Sequence, residues 1–158
     1  MNVYLSFGSN VGNRKRNIEK AVNELSANNI FPVKMSSFYE TSPVGPKQRY
    51  FYNCAGMFKT DLTPEKLLDF IKKTEQKLGR TKTFRWGPRV IDIDILFYGK
   101  EVVKSKRLSI PHSEIINRLF VLLPMNEISP GFMHPVLKKT IRKILKEFCK
   151  TIDTVRKL

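Results

Sequence analysis

Little in this chain of 158 residues could form a disulfide, enter a bilayer or cradle phosphate with glycine alone. Its two cysteines, Cys54 and Cys149, lie far apart and make no metal-ligand spacing, so the chain reads as reduced and cytoplasmic. No uninterrupted apolar run approaches the roughly 20 residues a membrane helix needs, which argues against a membrane partner. Met1-Asn2-Val3-Tyr4-Leu5-Ser6-Phe7 has neither the basic region nor the cleavage pattern of a signal peptide. Neither G-x-x-x-x-G-K-[ST] nor G-x-G-x-x-G occurs, so any phosphate chemistry must rest on side-chain cations or metal. Acids are scarce as well: 14 Asp and Glu stand against 29 Lys and Arg, for a net charge of +15.

An excess of that size attracts polyanions, whether nucleic acid, an anionic surface or a nucleotide's phosphates. From His134 to Leu158 there are eight Lys or Arg and two acids. That tail reads as a basic C-terminal helix with a solvated face. Arg80 to Arg89 is different, because it places Arg80, Lys82, Arg85 and Arg89 beside Phe84 and Trp86 with no acid among them.

The chain shows no repeat, low-complexity tract or linker, and 41% of it is hydrophobic, so residues 1–158 read as a single domain. Strands are predicted over Val3 to Phe7, Pro32 to Tyr39, Tyr52 to Thr60 and Val90 to Phe97. Ile18, Ala21, Val22 and Leu25 fall on one helical face. A second helix begins at Thr63 as N-cap with Pro64 at the first turn, buries Leu67, Leu68, Ile71 and Leu78, and ends at Gly79. A hairpin-like stretch and a short helix near Ser113 to Arg118 follow. The order β-α-β-β-α-β predicts an α+β ferredoxin-like sandwich, an antiparallel sheet with helices on one face, plus C-terminal additions.

In Val90-Ile91-Asp92-Ile93-Asp94-Ile95-Leu96-Phe97, alternation sends Ile91, Ile93, Ile95 and Phe97 one way and Asp92 and Asp94 the other. Carboxylates two residues apart are about 6.6 Å apart along a strand. That spacing suits a pair of hard cations about 4 Å apart. Two aspartates facing water would also satisfy the pattern, although like charges on one face of a strand repel. Arg85-Trp86-Gly87-Pro88-Arg89 runs straight into this strand, and arginine's planar fork suits phosphate oxygens. His112, after Pro111, is read as a phosphate hydrogen-bond partner, and His134 as structural.

Phe7-Gly8-Ser9-Asn10, Thr41-Ser42-Pro43-Val44-Gly45-Pro46, Tyr52-Asn53, Gly79-Arg80, Arg85-Trp86-Gly87-Pro88-Arg89-Val90-Ile91-Asp92-Ile93-Asp94 and Pro111-His112 occur in that order. Together they resemble the 6-hydroxymethyl-7,8-dihydropterin pyrophosphokinase family of folate biosynthesis. The likeness covers nearly the whole chain and fades after about Pro130. The R-W-G-P-R-x-x-D-x-D run carries most of the specificity.

The resemblance implies transfer of the terminal pyrophosphate of ATP to the hydroxymethyl group of the pterin, with AMP released. It implies Asp92 and Asp94 as ligands of two Mg²⁺ ions, and Arg80 and Arg89 as catalytic alongside them. Lys82, His112 and Arg118 would join those arginines on the triphosphate. Adenine would rest near Ile95, Leu108 and Ser109, with Lys72, Glu75 and Arg107 at its periphery. The pterin would lie between Phe51 and Phe120, read by Asn53 and by groups near Thr41, Pro43 and Val44, with Asp92 and Trp86 closing in. Loops Asn10 to Arg14, Pro43 to Tyr50 and Arg80 to Arg89 would shut over the substrates. A monomer is implied, with ATP and pterin as partners and neither nucleic acid nor membrane among them.

Three positions depart from the family pattern. Ser113 follows His112 where Tyr is common, Phe51 replaces a common Tyr, and Lys72 replaces an uncharged polar residue. A ferredoxin-like RNA-binding module is the main rival, but it needs an aromatic strand run of the form K/R-G-F/Y-G/A-F-V-x-F/Y, which this chain lacks. A non-catalytic relative is the other, and the retained Asn53, Arg89, Asp92, Asp94 and His112 weigh against it.

Overall fold

The computed structural model describes residues 1–148 and 154–158. The first half runs β1 (Asn2–Ser9), α1 (Arg14–Ser26), β2 (Phe31–Met35), β3 (Tyr39–Thr41), β4 (Phe51–Lys59), α2 (Pro64–Lys77) and β5 (Asp92–Tyr98). A small hairpin of β6 (Val103–Lys104) and β7 (Ser109–Ile110) follows, then a 3-10 turn (Ile115–Asn117), α3 (Leu119–Ile128), α4 (Ile141–Lys146) and β8 (Val155–Lys157). The main sheet is ordered β5-β1-β4-β3-β8, with β2 also beside β4. All its pairings are antiparallel. With β2 and β3 taken as one interrupted strand, this is the expected ferredoxin-like core.

The interruption has a local cause. The Ser36 hydroxyl accepts from Ala55 N–H at 2.9 Å, and Ser37 donates both its N–H and its hydroxyl to Glu127. Side chains that bond the backbone in this way compete with a continuous ladder.

Two cores lie on opposite faces of the sheet. On one, Val3, Leu5, Phe7, Cys54, Phe58, Ile91, Ile93 and Ile95 meet Ile18, Ala21 and Leu25 of α1 and Leu67 and Ile71 of α2. Helix α1 opens with Arg14, Lys15 and Arg16, cations at the positive end of its dipole. That costs roughly 0.3–1 kcal/mol per charge. Each buried Ile or Leu returns roughly 1.5–3 kcal/mol, so packing fixes the helix despite its first turn. Asn13 caps it by accepting from Arg16 N–H at 3.0 Å. Helix α2 is as expected: Thr63 caps it, Pro64 starts it, and Gly79 follows at φ +97.

On the other face Tyr4, Ala55, Leu96 and Phe97 pack against Val121, Leu122 and Met125 of α3 and Ile141 and Ile144 of α4. Helices α1 and α2 thus share one face, as expected of the core, and the C-terminal additions α3 and α4 cover part of the other. Phe97 also lies opposite to its expected side. Tyr4 pairs with Phe97 and Leu5 with Ile95, so Leu96 is an extra residue in β5. This bulge reverses the alternation beyond Ile95.

The basic tail is not one helix. It gives a six-residue α4 and a terminal strand, β8, which pairs with the exposed edge of β3. The part of the expected helix at 149–153, with Cys149, lies outside the described residues. His134 is structural as expected: it is buried, its Nδ1 accepts from Val136 and Leu137 N–H, and burial holds its pKa low.

Candidate active site

Helices α3 and α4 cover only part of the second sheet face, and the remainder is the floor of a cavity of about 580 Å³. Small residues make that floor flat. Ser6 is paired with Asp94 and Gly8 with Asp92 across β1 and β5, and Gly8 is paired with Asn53 across β1 and β4. A Cβ on Gly8 would lie 2.9 Å from Asn53 Oδ1, so glycine is what lets that amide sit there. Asp92 and Asp94 both open on the cavity, on the face opposite Ile91, Ile93 and Ile95.

Beside them the cavity is lined by Arg85, Trp86 and Arg89 from the basic loop and by Arg118 and Phe120 from the start of α3. Across it stand Phe51, Asn53, Thr41 and Val44. Asn53 Nδ2 donates to Thr41 Oγ1 at 2.7 Å, which leaves its carbonyl oxygen free to turn toward a ligand. Phe51 and Phe120 thus flank the same space as the aspartates.

A second hollow of about 180 Å³ is lined by Leu68, Lys72, Ile95, Arg107, Leu108, Ser109, His112 and Ser113. Asp94 lines both hollows. His112 Nδ1 accepts from Glu114 N–H at 3.2 Å, leaving Nε2 toward Asp94 Oδ2, 3.9 Å away. Arg118 Nη1 is also 3.9 Å from that oxygen. Burial and the Asp92 carboxylate push the Asp94 pKa up, opposed by His112, Arg118 and Lys72. Two neighbouring carboxylates whose charges resist one another favour a cation between them.

Four expected residues line neither hollow: Pro43, Glu75, Arg80 and Lys82. Lys82 is exposed on its loop. Arg107 lines the second hollow, but its guanidinium pairs with Asp69. Glu75 turns inward instead of lying at a nucleotide's edge. It is 2% exposed, accepts from Ile93 N–H at 2.8 Å and pairs with Arg80 at 2.6 Å and Lys72 at 3.2 Å. Arg80 in turn lies 2.8 Å from Asp92 Oδ1. The basic loop is therefore tethered to β5 at Asp92 through Arg80, with Glu75 behind it.

Sequence reasoning overlooked Asn10 and Gln48, which join all three loops. Asn10 exchanges two hydrogen bonds with Arg89, donating its N–H at 3.0 Å and accepting on Oδ1 at 2.8 Å. Its amide donates to Gln48 Oε1 at 2.9 Å, and Gln48 Nε2 donates to Trp86 O at 2.6 Å. Gly45, at φ +89, lies under Trp86, where a Cβ would come within 3.2 Å of the Trp86 Cβ. An amide placed straight after a strand's Gly-Ser was the available signal; in the structure Asn10 is only 3% exposed.

The donor set suits Mg²⁺. Among the described residues no three His, Cys, Asp or Glu side chains gather around one point. The two aspartates alone would hold the metal, with phosphate oxygens and water completing the shell, the usual arrangement for this hard cation. Cys54, the free cysteine among the described residues, is buried, and burial pushes its thiol up to about 12.

A family model, that of 7,8-dihydro-6-hydroxymethylpterin-pyrophosphokinase, matches residues 4–130. A 2-amino-4-hydroxy-6-hydroxymethyldihydropteridine pyrophosphokinase of Aquifex aeolicus is 42% identical, over 93% of this chain and 95% of its own. The folic acid synthesis protein FOL1 of Dictyostelium discoideum is 46% identical over 90% of this chain, which spans 22% of that longer protein. Among solved structures, the Plasmodium falciparum HPPK-DHPS wild type with SDX-DHP superposes with a TM-score of 0.75 at 18% identity, covering 93% of this chain and 44% of that one.

Proposed function

The chain belongs to the 7,8-dihydro-6-hydroxymethylpterin-pyrophosphokinase family, and on that premise we propose that it moves the pyrophosphoryl group of ATP to 6-hydroxymethyl-7,8-dihydropterin. The hydroxymethyl oxygen attacks the β-phosphorus, a new O–P bond forms, and the bond to the α–β bridging oxygen breaks. AMP leaves and the hydroxyl proton is released. One observation carries this reading: two same-face aspartates open on a cavity walled by arginines on one side and by two aromatics and an amide on the other.

Each group has a stated part. Asp92 and Asp94 would hold two Mg²⁺ ions, which would supply charge neutralisation at the phosphates and make the hydroxyl more acidic. Arg89, Arg118 and His112 take phosphate oxygens, and Arg80 is fixed between Glu75 and Asp92 to join them. Lys82 reaches the phosphates only by movement of its loop. Ile95, Leu108 and Ser109 form the adenine bed in the smaller hollow, with Lys72 and Arg107 at its rim. Ser113 leaves that rim without an aromatic contact. Phe51 and Phe120 sandwich the pterin, and Asn53 with Thr41 reads its edge, beside Pro43, Val44 and Trp86. Positioning and charge neutralisation of this kind suffice for phosphoryl-type transfer without a covalent intermediate.

The reading takes the chain as one catalytic domain, monomeric and cytoplasmic, with no nucleic-acid or membrane partner. No described helix is long and apolar enough to cross a membrane. The test supplies ATP, Mg²⁺ and the hydroxymethyl-dihydropterin and separates the nucleotides. AMP is expected in step with pterin diphosphate; ADP, or unchanged ATP, refutes the assignment.

A further inference from the structure

Helix α1 begins with a cation that neither its own dipole nor the proposed reaction explains. Arg14 lies in the first turn, where positive charge is disfavoured, yet it is largely buried, with a side chain only 11% exposed. Its guanidinium stacks 3.7 Å from the centre of the Tyr52 ring, donates to Tyr50 O at 2.7 Å and pairs with Glu40 at 3.1 Å. Glu40 is shared with Arg156 of β8 at 3.0 Å.

The sheet register gives these contacts a consequence. Glu40 is paired with Tyr52, Thr41 with Phe51 and Tyr39 with Asn53 across β3 and β4. Alternation puts Glu40 and Tyr52 on the face opposite Thr41, Phe51 and Asn53, which is the cavity face. Arg14 therefore grips the back of the two strands whose fronts form the cavity wall. The Tyr50 carbonyl it holds belongs to the residue just before Phe51, at the point where loop Pro43 to Tyr50 becomes strand. Arginine suits the task because one planar group can stack, pair and donate at once.

We propose that Arg14 is a positioning residue for the pterin: from behind the sheet, with Glu40, it sets the Phe51–Thr41–Asn53 wall. This rests on the pterin reading of the cavity. Arg14 touches neither hollow, so its loss acts on the wall and leaves the nucleotide side intact.

The experiment begins with the unaltered chain. If it forms no AMP, the proposed reaction fails, whatever Arg14 does. If AMP forms, Arg14→Met, which keeps the stem and removes the guanidinium, is expected to raise the pterin KM about tenfold, the scale of one lost charge-assisted hydrogen bond. The ATP KM and kcat are expected to stay within about twofold, the pattern of lost ground-state positioning. Arg14→Lys should resemble Arg14→Met, because an ammonium group cannot make all three contacts together. Calorimetric titration with 6-hydroxymethylpterin should show the same loss while titration with an ATP analogue does not. An unchanged pterin KM overturns the proposal, and so does an equal loss on both substrates. If Arg14→Met does not fold, Glu40→Gln decides in its place: a several-fold rise in pterin KM alone upholds the proposal, and its absence overturns it.

Discussion

Asp94→Asn should lower turnover by at least about 10³-fold while leaving the fold intact, since in the proposed reaction it removes a charge that would hold the metal beside the phosphates. Asp94 is the one side chain among the sequence-predicted metal ligands that lines both hollows, and so stands where the two substrates would meet. Its carboxyl is held in a place that resists ionisation, for burial and Asp92 both push its pKa up. An acid with a raised folded-state pKa weakens the fold at neutral pH, because the folded protein would rather bind the proton. Replacing it with the neutral amide therefore should not lower the melting temperature. Turnover within tenfold of the parent chain would remove Asp94 from the chemistry, and loss of the folded state would make it structural. Asn→Asp reversion is not needed to tell these apart; a melting curve beside the rate is enough.

The second large effect is expected at Glu75. Glu75→Gln keeps an acceptor for Ile93 N–H but gives up the charge that holds Arg80. Hydrogen bonds to charged groups contribute roughly 1.5–3 kcal/mol, so kcat/KM should fall by roughly ten- to a hundredfold as Arg80 loosens. Stability should move the other way. Burial is the main cause of the raised Glu75 pKa, opposed by the Ile93 bond and by Lys72 and Arg80. With the folded value above the unfolded one, stability contributed by this group is full at low pH and declines as pH rises through the window between the two. The Gln variant lacks that decline. Its melting temperature at neutral pH should equal or exceed that of the parent, and its pH dependence should be flatter on the acid side. A variant that is less stable and fully active would contradict this account of Glu75.

Glu75 also shows what the sequence offered and what it hid. It sits four residues after Ile71 and three before Leu78, on the apolar stripe of α2, so its spacing already marked a charge turned inward. Read instead by resemblance, it was expected at the nucleotide's edge. The paired aspartates were legible because a strand's period of two is local and needs only the residues themselves. The bulge at Leu96 was not, since it is a property of the pairing of β5 with β1 rather than of β5. Helix α3 escaped notice because it opens on an unbroken apolar run, Leu119 to Leu123, and then carries Pro124, leaving no period to detect. Strand β8 was read as helix because its partner, β3, lies more than a hundred residues earlier. The three cations opening α1 were visible too, but only the folded register shows that Arg14 leans on the back of the cavity wall.

The proposed reaction needs a metal pair that Asp92 and Asp94 would hold over a flat sheet face. Electron paramagnetic resonance with Mn²⁺ in place of Mg²⁺, and a non-hydrolysable ATP analogue, tests it most directly. Two Mn²⁺ per chain with the signature of a spin-coupled pair are expected, the pair being lost in Asp94→Asn. A single uncoupled ion in the parent chain, or a pair that survives replacement of both aspartates, would contradict it.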